Sequence, residues 1–325
     1  MTDKLLYLSR KDVAKTGLSM AAIIDVVEKG FIEMGNGRVE MPPKPGIHPG
    51  EGDNFIHAMP AYIPSMNSAG VKWVSGYPGN SQKNLPYING LLIYNDTETG
   101  LPLAVMDCSW ITAMRTAAAS AVSGKYLARP GSSTIGILAC GVQGHTNLEA
   151  MDVLFNLKKV YAFDTVPEQA RALAAYGRDT LGLEVEIVTD PRKAVTGCDI
   201  VVTSGPILKK PHETIRSGWV DEGTYVSCVD FDSFFSRKAL NQADKWTTDN
   251  LAQYNHYKDN VGFFIDCPDV YAELGELVTG QKQGRQNDRE RTFAANLGLA
   301  MEDMAVCPLI FNLAKEKNIG TWLEL

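Results

Sequence analysis

No apolar run in the 325 residues approaches the roughly 18 needed to span a bilayer. The opening stretch, MTDKLLYLSRKDV, carries charge too early and too often for a secretory leader. There is no basic excess either: 31 Lys and Arg stand against 38 Asp and Glu, a formal charge of −7. Nucleic acid and anionic membrane surfaces usually call for a basic face, so neither is an expected partner. Six cysteines (Cys108, Cys140, Cys198, Cys228, Cys267, Cys307) lie far apart without a C-x-x-C pair. That spacing speaks against a disulfide framework or a zinc site and fits reduced thiols, with no metal expected. What remains is a chain that is 45% hydrophobic, free of low-complexity tracts and long enough for two domains. The expectation is a cytoplasmic, soluble, enzyme-sized protein.

The chain changes texture along its length. Residues 19–36 place Ile23, Val26, Val27, Phe31 and Met34 at helical spacing behind a capping Ser19. From 39 to 105 short β-like runs alternate with Gly, Pro and Asn, and NDTETGLP reads as a hairpin, so a meander with one helix packed on it is expected. The run SWITAMRTAAASAVSGKYLARPG reads as a helix ending before Pro130. From 133 onward strand and helix alternate, the mark of a parallel sheet with helices on both faces. The tail TFAANLGLAMEDMAVCPLIFNLAKEKN reads as one long apolar helical pattern returning to the first domain. The fold class expected is α/β, a doubly wound sheet over 118–304 inserted in a second α/β domain made of 1–117 and 305–325.

The stretch TIGILACGVQGHT, residues 134–146, reads as a strand, a glycine turn and a helix. A pyrophosphate needs backbone N–H groups at a helix N-terminus, and the middle glycine must lack a Cβ to let it approach. Gly141 and Gly144 fill the second and third glycine places; Ala139 fills the first, acceptable there if its φ stays negative. Asp164 ends the next strand, placed to accept from adenosine ribose hydroxyls, and no Arg or Lys follows to hold a 2′-phosphate. NAD is the expected cofactor. The competing reading is a glycine turn that holds no nucleotide.

Three cations lie in surroundings that do not welcome them: Lys72 in GVKWVSGYPGN, Arg115 in WITAMRTAAAS and Lys44 in MPPKPG. Burying a cation is costly without an anion, so they suggest a carboxylate ligand; the alternative is pairing with structural acids. Asp230 and Asp232 sit at the end of the strand TYVSCVDFD, and carboxyl ends of parallel strands are where ligands bind in open α/β sheets. His57, in FIHAMP, reads more readily as a half-buried structural residue, and Cys140 as a small loop residue rather than a nucleophile.

Taken together, MPAY at 59–62, GVKWVSGYPGN at 70–80, LPLAVMD at 101–107, ITAMRTAAASAVSGKYLARP at 111–130, GVQGHTN, ELGELVTGQKQGR and NLGLAMEDMAV at 296–306 resemble the ornithine cyclodeaminase/mu-crystallin family. That family also contains archaeal alanine dehydrogenases and ketimine reductases. The resemblance implies a Rossmann domain inserted in a domain that mediates homodimerisation. It implies that Lys72 and Arg115 bind the substrate carboxylate, assisted by Lys44 where the family often has arginine. It makes Asp232 the catalytic acid, with Asp230 or Ser233 taking that place if the match is shifted, and gives Lys72 a share in catalysis. It places NAD on Thr116, Gly141, Val142, Gln143, Gly144, Asp164, Thr203 and Ser204. One departure concerns the substrate: His57 stands where bacterial-type ornithine cyclodeaminases carry a glutamate, which weakens a diamine-specific reading and would make His57 a proton carrier near neutral pH.

The resemblance implies hydride transfer from the Cα of an L-amino acid to NAD⁺, leaving an imine. The leading expectation is ornithine cyclodeaminase-like conversion of L-ornithine to L-proline and ammonia, with no net redox change. An amino-acid dehydrogenase or imine reductase is the near alternative, and a non-catalytic NAD(H)-binding protein the alternative from another class.

Overall fold

The computed structural model describes residues 4–50 and 53–325. The chain forms two compact units, Met1–Arg115 with Leu299–Leu325, and Thr116–Gly298. The sequence reading divides the chain at 117/118 and 304/305; in the structure the return crossing falls just before the last helix, which belongs whole to the first unit.

The first unit is built on a seven-stranded sheet. Its strands are β1 (Lys4–Leu8), β2 (Gly46–Ile47), β3 (Phe55–Ile63), β4 (Ser68–Gly76), β5 (Ile88–Asn95), β6 (Pro102–Asp107) and, from the end of the chain, β15 (Thr321–Glu324), in the order β15-β1-β6-β5-β4-β3-β2. The expected meander is β3 to β6, all antiparallel. The two outer strands come from both ends of the chain: β1 runs parallel to β6 and antiparallel to β15. Helix α1 (Arg10–Lys15) opens with a capping box between Ser9 and Asp12. Helix α2 (Met20–Gly35) is capped by Ser19 and buries Ile23, Val27 and Phe31, while Val26 and Met34 stay half-buried at the edge of that stripe. It packs on the last helix, α9 (Ala300–Glu316), at Gly30, where a Cβ would lie 2.3 Å from Met301 Sδ.

The second unit holds eight strands, all parallel: β7 (Thr134–Leu138), β8 (Lys159–Phe163), β9 (Glu184–Ile187), β10 (Ile200–Thr203), β11 (Tyr225–Cys228), β12 (Lys245–Thr248), β13 (Ala272–Glu273) and β14 (Thr292–Ala295). Their order is β13-β12-β14-β11-β10-β7-β8-β9. The chain runs outward from β7 to β9, then restarts at β10 on the other side of β7, so β7 and β10 flank the switch point where open α/β sheets bind ligands. The helices are α4 (Val142–Leu154), α5 (Pro167–Asp179), α6 (Arg237–Leu240), α7 (Leu251–His256) and α8 (Leu274–Val278), preceded by α3 (Ser109–Leu127), whose first seven residues belong to the first unit. The α/β class with a doubly wound sheet is as expected.

The tail differs from its sequence pattern. Thr292–Ala295 is buried strand β14, not helix, and Gly298, at φ +76°, breaks the chain before α9 begins. An apolar run of four residues suits a buried parallel strand and a helix turn equally well, so periodicity could not separate them. No helix among the described residues is long and apolar enough to cross a membrane.

Candidate active site

In the first unit the inner face of the sheet carries Lys72. On β4 it alternates with outward-facing residues and pairs in register with Met59 of β3 and Leu92 of β5, both buried. Its side chain is 0% exposed, and its Nζ lies 2.6 Å from Asp303 Oδ2. Arg115, on α3, reaches the same place: Nη1 meets Glu302 Oε2 at 2.6 Å and Nε meets Asp303 Oδ1 at 3.2 Å. Both expected cations are therefore buried, and both already have resident acids from the first turn of α9. Two positive and two negative charges make the cluster neutral overall, which is what lets it be buried at all. Burial, with the nearby Arg115 charge, pulls the Lys72 pKa down, while Asp303 pulls it back up.

Glu302 and Asp303 are the members of this buried cluster that the sequence reading passed over. Their signal was present: two adjacent acids inside the apolar run LGLAMEDMAV need cations just as Lys72 and Arg115 need anions. Glu302 also caps its own helix, accepting from Leu299 N at 3.1 Å.

His57 follows on the same face of β3, opposite Val74 and Gly46. It stacks on Phe55 with ring centroids 4.5 Å apart and meets the edge of His48. Burial depresses its pKa to about 3, helped by the positive charges of Lys44, His48 and Lys72. The imidazole is therefore neutral near pH 7, which does not favour its expected part as a proton carrier in that range: a half-buried ring beside cations resists taking up another proton.

In the second unit the glycine turn follows β7. Gly141 is the N-cap of α4 at φ −73°, and no side chain caps that helix among the described residues. A Cβ on Gly141 would meet nothing within 4 Å. Neither backbone geometry nor packing thus calls for glycine, and open space lies before the uncapped first-turn N–H groups of Val142, Gln143 and Gly144. Gly144 is needed by the fold itself, because a Cβ there would lie 2.6 Å from Ala139 O. Ala139 has φ +71°, so the condition attached to it, a negative φ, is not met. Ala139 occupies the left-handed turn position that glycine usually fills, at a cost of roughly 1–2 kcal/mol. Its amide donates to Phe163 O at 2.9 Å and its carbonyl accepts from Ser204 Oγ at 2.8 Å, which holds it there.

Asp164 follows β8 and accepts from Cys140 N at 2.7 Å and from Val166 N at 2.8 Å, one bond on each oxygen. A carboxylate has about four acceptor sites, so capacity remains for ribose hydroxyls. Burial pushes the Cys140 thiol up to about 12, consistent with a packing role. Thr203 is buried, with its hydroxyl given to Asp230 Oδ1 at 2.7 Å. Thr116, half-buried, accepts from Ser120 Oγ through its carbonyl. These donors and openings suit a dinucleotide laid across the ends of β7, β8 and β10.

Beyond β11 lie the two aspartates. Asp230 also accepts from Gly205 N at 2.9 Å, and burial pushes its pKa up to about 7 against the pull of its two donors. Asp232, equally buried, accepts from Arg237 Nη1 at 2.6 Å. Residue 231 between them is Phe at φ +64°, and the two carboxylates bond different partners, Thr203 and Gly205 for Asp230 and Arg237 for Asp232.

The family model of the ornithine cyclodeaminase/mu-crystallin family matches residues 4–318. An alanine dehydrogenase of Archaeoglobus fulgidus is 35% identical over 326 residues, covering 98% of each chain. Among solved structures, the Thermococcus litoralis Δ1-pyrroline-2-carboxylate reductase in complex with NADH and L-proline is 35% identical, with a TM-score of 0.88 over 98% of this chain and 99% of that one. An archaeal alanine dehydrogenase dimer with bound NAD is 33% identical, with a TM-score of 0.87 over 99% of each chain. The site and these relatives define a class, the NAD-dependent enzymes of amino acids and imines. The chain belongs to the ornithine cyclodeaminase/mu-crystallin family. With enzymes as its close relatives, the binding-only alternative gives way.

Proposed function

We propose that the protein interconverts an L-amino acid with an uncharged side chain and the corresponding imine, NAD carrying the hydride, as an amino-acid dehydrogenase or cyclic-imine reductase. The observation that carries this reading is His57. The ring is neutral, stacked on Phe55, and the charged neighbours that face it are the cations Lys44 and Lys72. A second ammonium on a diamine would gain no anion from His57, so ornithine cyclodeamination is the less favoured outcome.

In the oxidative direction the Cα–H leaves as hydride to NAD⁺, the amine loses a proton, and an iminium and NADH result. Lys72 and Arg115 hold the substrate carboxylate, the guanidinium by directional N–H groups and the ammonium as a point charge, with Lys44 adding positive charge nearby. Glu302 and Asp303 fix those two cations before substrate arrives, so that little reorganisation is needed on binding. Asp232 accepts an N–H of the substrate amine. NAD, when bound, would supply the hydride acceptor; Gly141, Val142, Gln143 and Gly144 would hold its pyrophosphate, Asp164 the adenosine ribose, and Thr116, Thr203 and Ser204 the adjoining parts. The protein acts as a homodimer in this reading: Tyr7, Trp73, Leu91 and Ile93 are exposed on one face of the first sheet, and such apolar area is rarely left to solvent.

The test is a panel with NAD⁺ against L-alanine, L-proline and L-ornithine, and with NADH against Δ1-pyrroline-2-carboxylate and pyruvate plus ammonia. Stoichiometric cofactor turnover with an uncharged substrate supports the reading. Proline and ammonia formed from ornithine on catalytic NAD⁺, without net NADH, would replace it with the cyclodeaminase.

A further inference from the structure

Asp230 is satisfied inside the sheet, since Thr203 and Gly205 each donate to one of its oxygens. Asp232 is not. Arg237 holds Oδ2, while Oδ1 is buried and has no hydrogen-bond partner among the described residues. Leaving a buried acceptor unmade costs about 1–3 kcal/mol, more for a charged group. The fold therefore keeps this carboxylate in an orientation that its own packing does not reward.

Arg237 is the group that keeps it there. It is the first residue of α6, and Ser236 fixes that start by accepting from Ala239 N at 3.3 Å. The same Nη1 also donates to Cys267 Sγ at 3.3 Å. Burial pushes the Cys267 thiol up to about 12, so the sulfur is an uncharged neighbour and Asp232 is the anion that Arg237 serves. The guanidinium is planar and points its N–H groups in fixed directions, so the pair sets an angle as well as a distance.

We infer that Arg237 is a positioning residue for the reaction: by pinning Oδ2 of Asp232 it presents Oδ1 as the acceptor for an N–H of the substrate's amine or iminium nitrogen. This rests on the reading of Asp232 given above. In this role Arg237 acts through Asp232 and exchanges no proton. Its effect belongs on kcat, because a misdirected acceptor fails where charge develops, whereas the substrate carboxylate and the cofactor are bound elsewhere.

The experiment compares Arg237→Met, Arg237→Lys and Asp232→Asn with wild type, using whichever substrate of the panel wild type turns over fastest. It measures kcat and KM separately, NADH affinity by fluorescence titration, and thermal melting. Arg237→Met is expected to lower kcat roughly 10–100-fold, as loss of a supporting partner typically does, with KM and NADH affinity unchanged. Arg237→Lys is expected to recover part of that loss. A folded Arg237→Met enzyme with wild-type kcat overturns the inference, and so does a Lys variant no better than Met. Should Arg237→Met not fold, Arg237→Gln takes its place: reduced kcat with unchanged KM and NADH affinity supports the inference, and wild-type kcat overturns it. Wild-type kcat in Asp232→Asn, by contrast, removes the reading of Asp232 whatever the Arg237 variants do.

Discussion

The ammonium of Lys72 and the carboxylate of Asp303 form an ion pair at 2.6 Å in which both side chains are wholly buried, although 231 positions separate them in sequence. Asp303 joins Lys72 to Arg115, and Glu302 completes the cluster. The substrate-carboxylate reading and the structural-acid reading of these cations are thus not rivals. The acids hold the cations in place; under the proposed function a ligand carboxylate would meet groups that are already fixed.

Asp303→Asn leaves Lys72 buried without its nearest anion. The expected loss is about 3–5 kcal/mol in urea unfolding, since breaking a buried pair strands the remaining charge. Adding Lys72→Met to that variant should return most of the stability while abolishing turnover. A single variant as stable as wild type would mean that the pair is not buried in solution.

His57 makes a prediction about acid. Its folded-state pKa lies at about 3, against an ordinary 6.5. Between those values the unfolded chain binds a proton that the folded chain refuses, so stability falls as pH drops below 6.5 and the loss is complete only below about 3. Thermal melts of His57→Gln, which cannot titrate there, should decline less steeply than wild type from pH 7 to pH 4. Parallel curves would show that the His57 pKa is not lowered in the folded protein.

Asp230 has the opposite sign. Its folded-state pKa is raised to about 7 from an ordinary 3.8. The stability carried by the protonated form is fully present below 3.8 and is lost as pH rises through 7. Asp230→Asn should therefore melt higher relative to wild type at pH 8 than at pH 5. A constant difference across that range would place the ionisation elsewhere.

The nucleotide turn can be tested at two positions. Ala139→Gly relieves a left-handed alanine at φ +71°. Stability should rise by up to about 1 kcal/mol, the relief being partly offset by a more flexible unfolded chain. NADH affinity should be kept. Gly144→Ala drives a Cβ to within 2.6 Å of Ala139 O. It should cost about 1–3 kcal/mol in urea unfolding and weaken NADH binding in a fluorescence titration.

The exposed face of the first sheet predicts an oligomer. Replacing Trp73 and Ile93 together by Glu and Lys should lower the mass measured by light scattering from two chains to one, because charge on a buried apolar interface is costly. A wild-type protein that already runs as one chain would refute the dimer.

Much of this was legible in the chain itself. Alternation of short strands and helices after residue 133, the turn at 139–144 and Asp164 at its expected distance determined a parallel sheet and its nucleotide edge. These signals are local, since periodicity and turn chemistry act over a few residues. Lys72 and Arg115 stood out because a cation in an apolar run is costly wherever it lies. Tertiary structure alone decided what those cations meet, since Asp303 reaches Lys72 from far along the chain. It also decided that residues 292–295 are a strand, that Ala139 takes a left-handed turn, and that the half-buried His57 ring lies beside cations that keep it neutral at pH 7. It gave Asp230 to Thr203 and Asp232 to Arg237. Each of these depends on burial and on partners distant in sequence, and one-dimensional spacing carries neither.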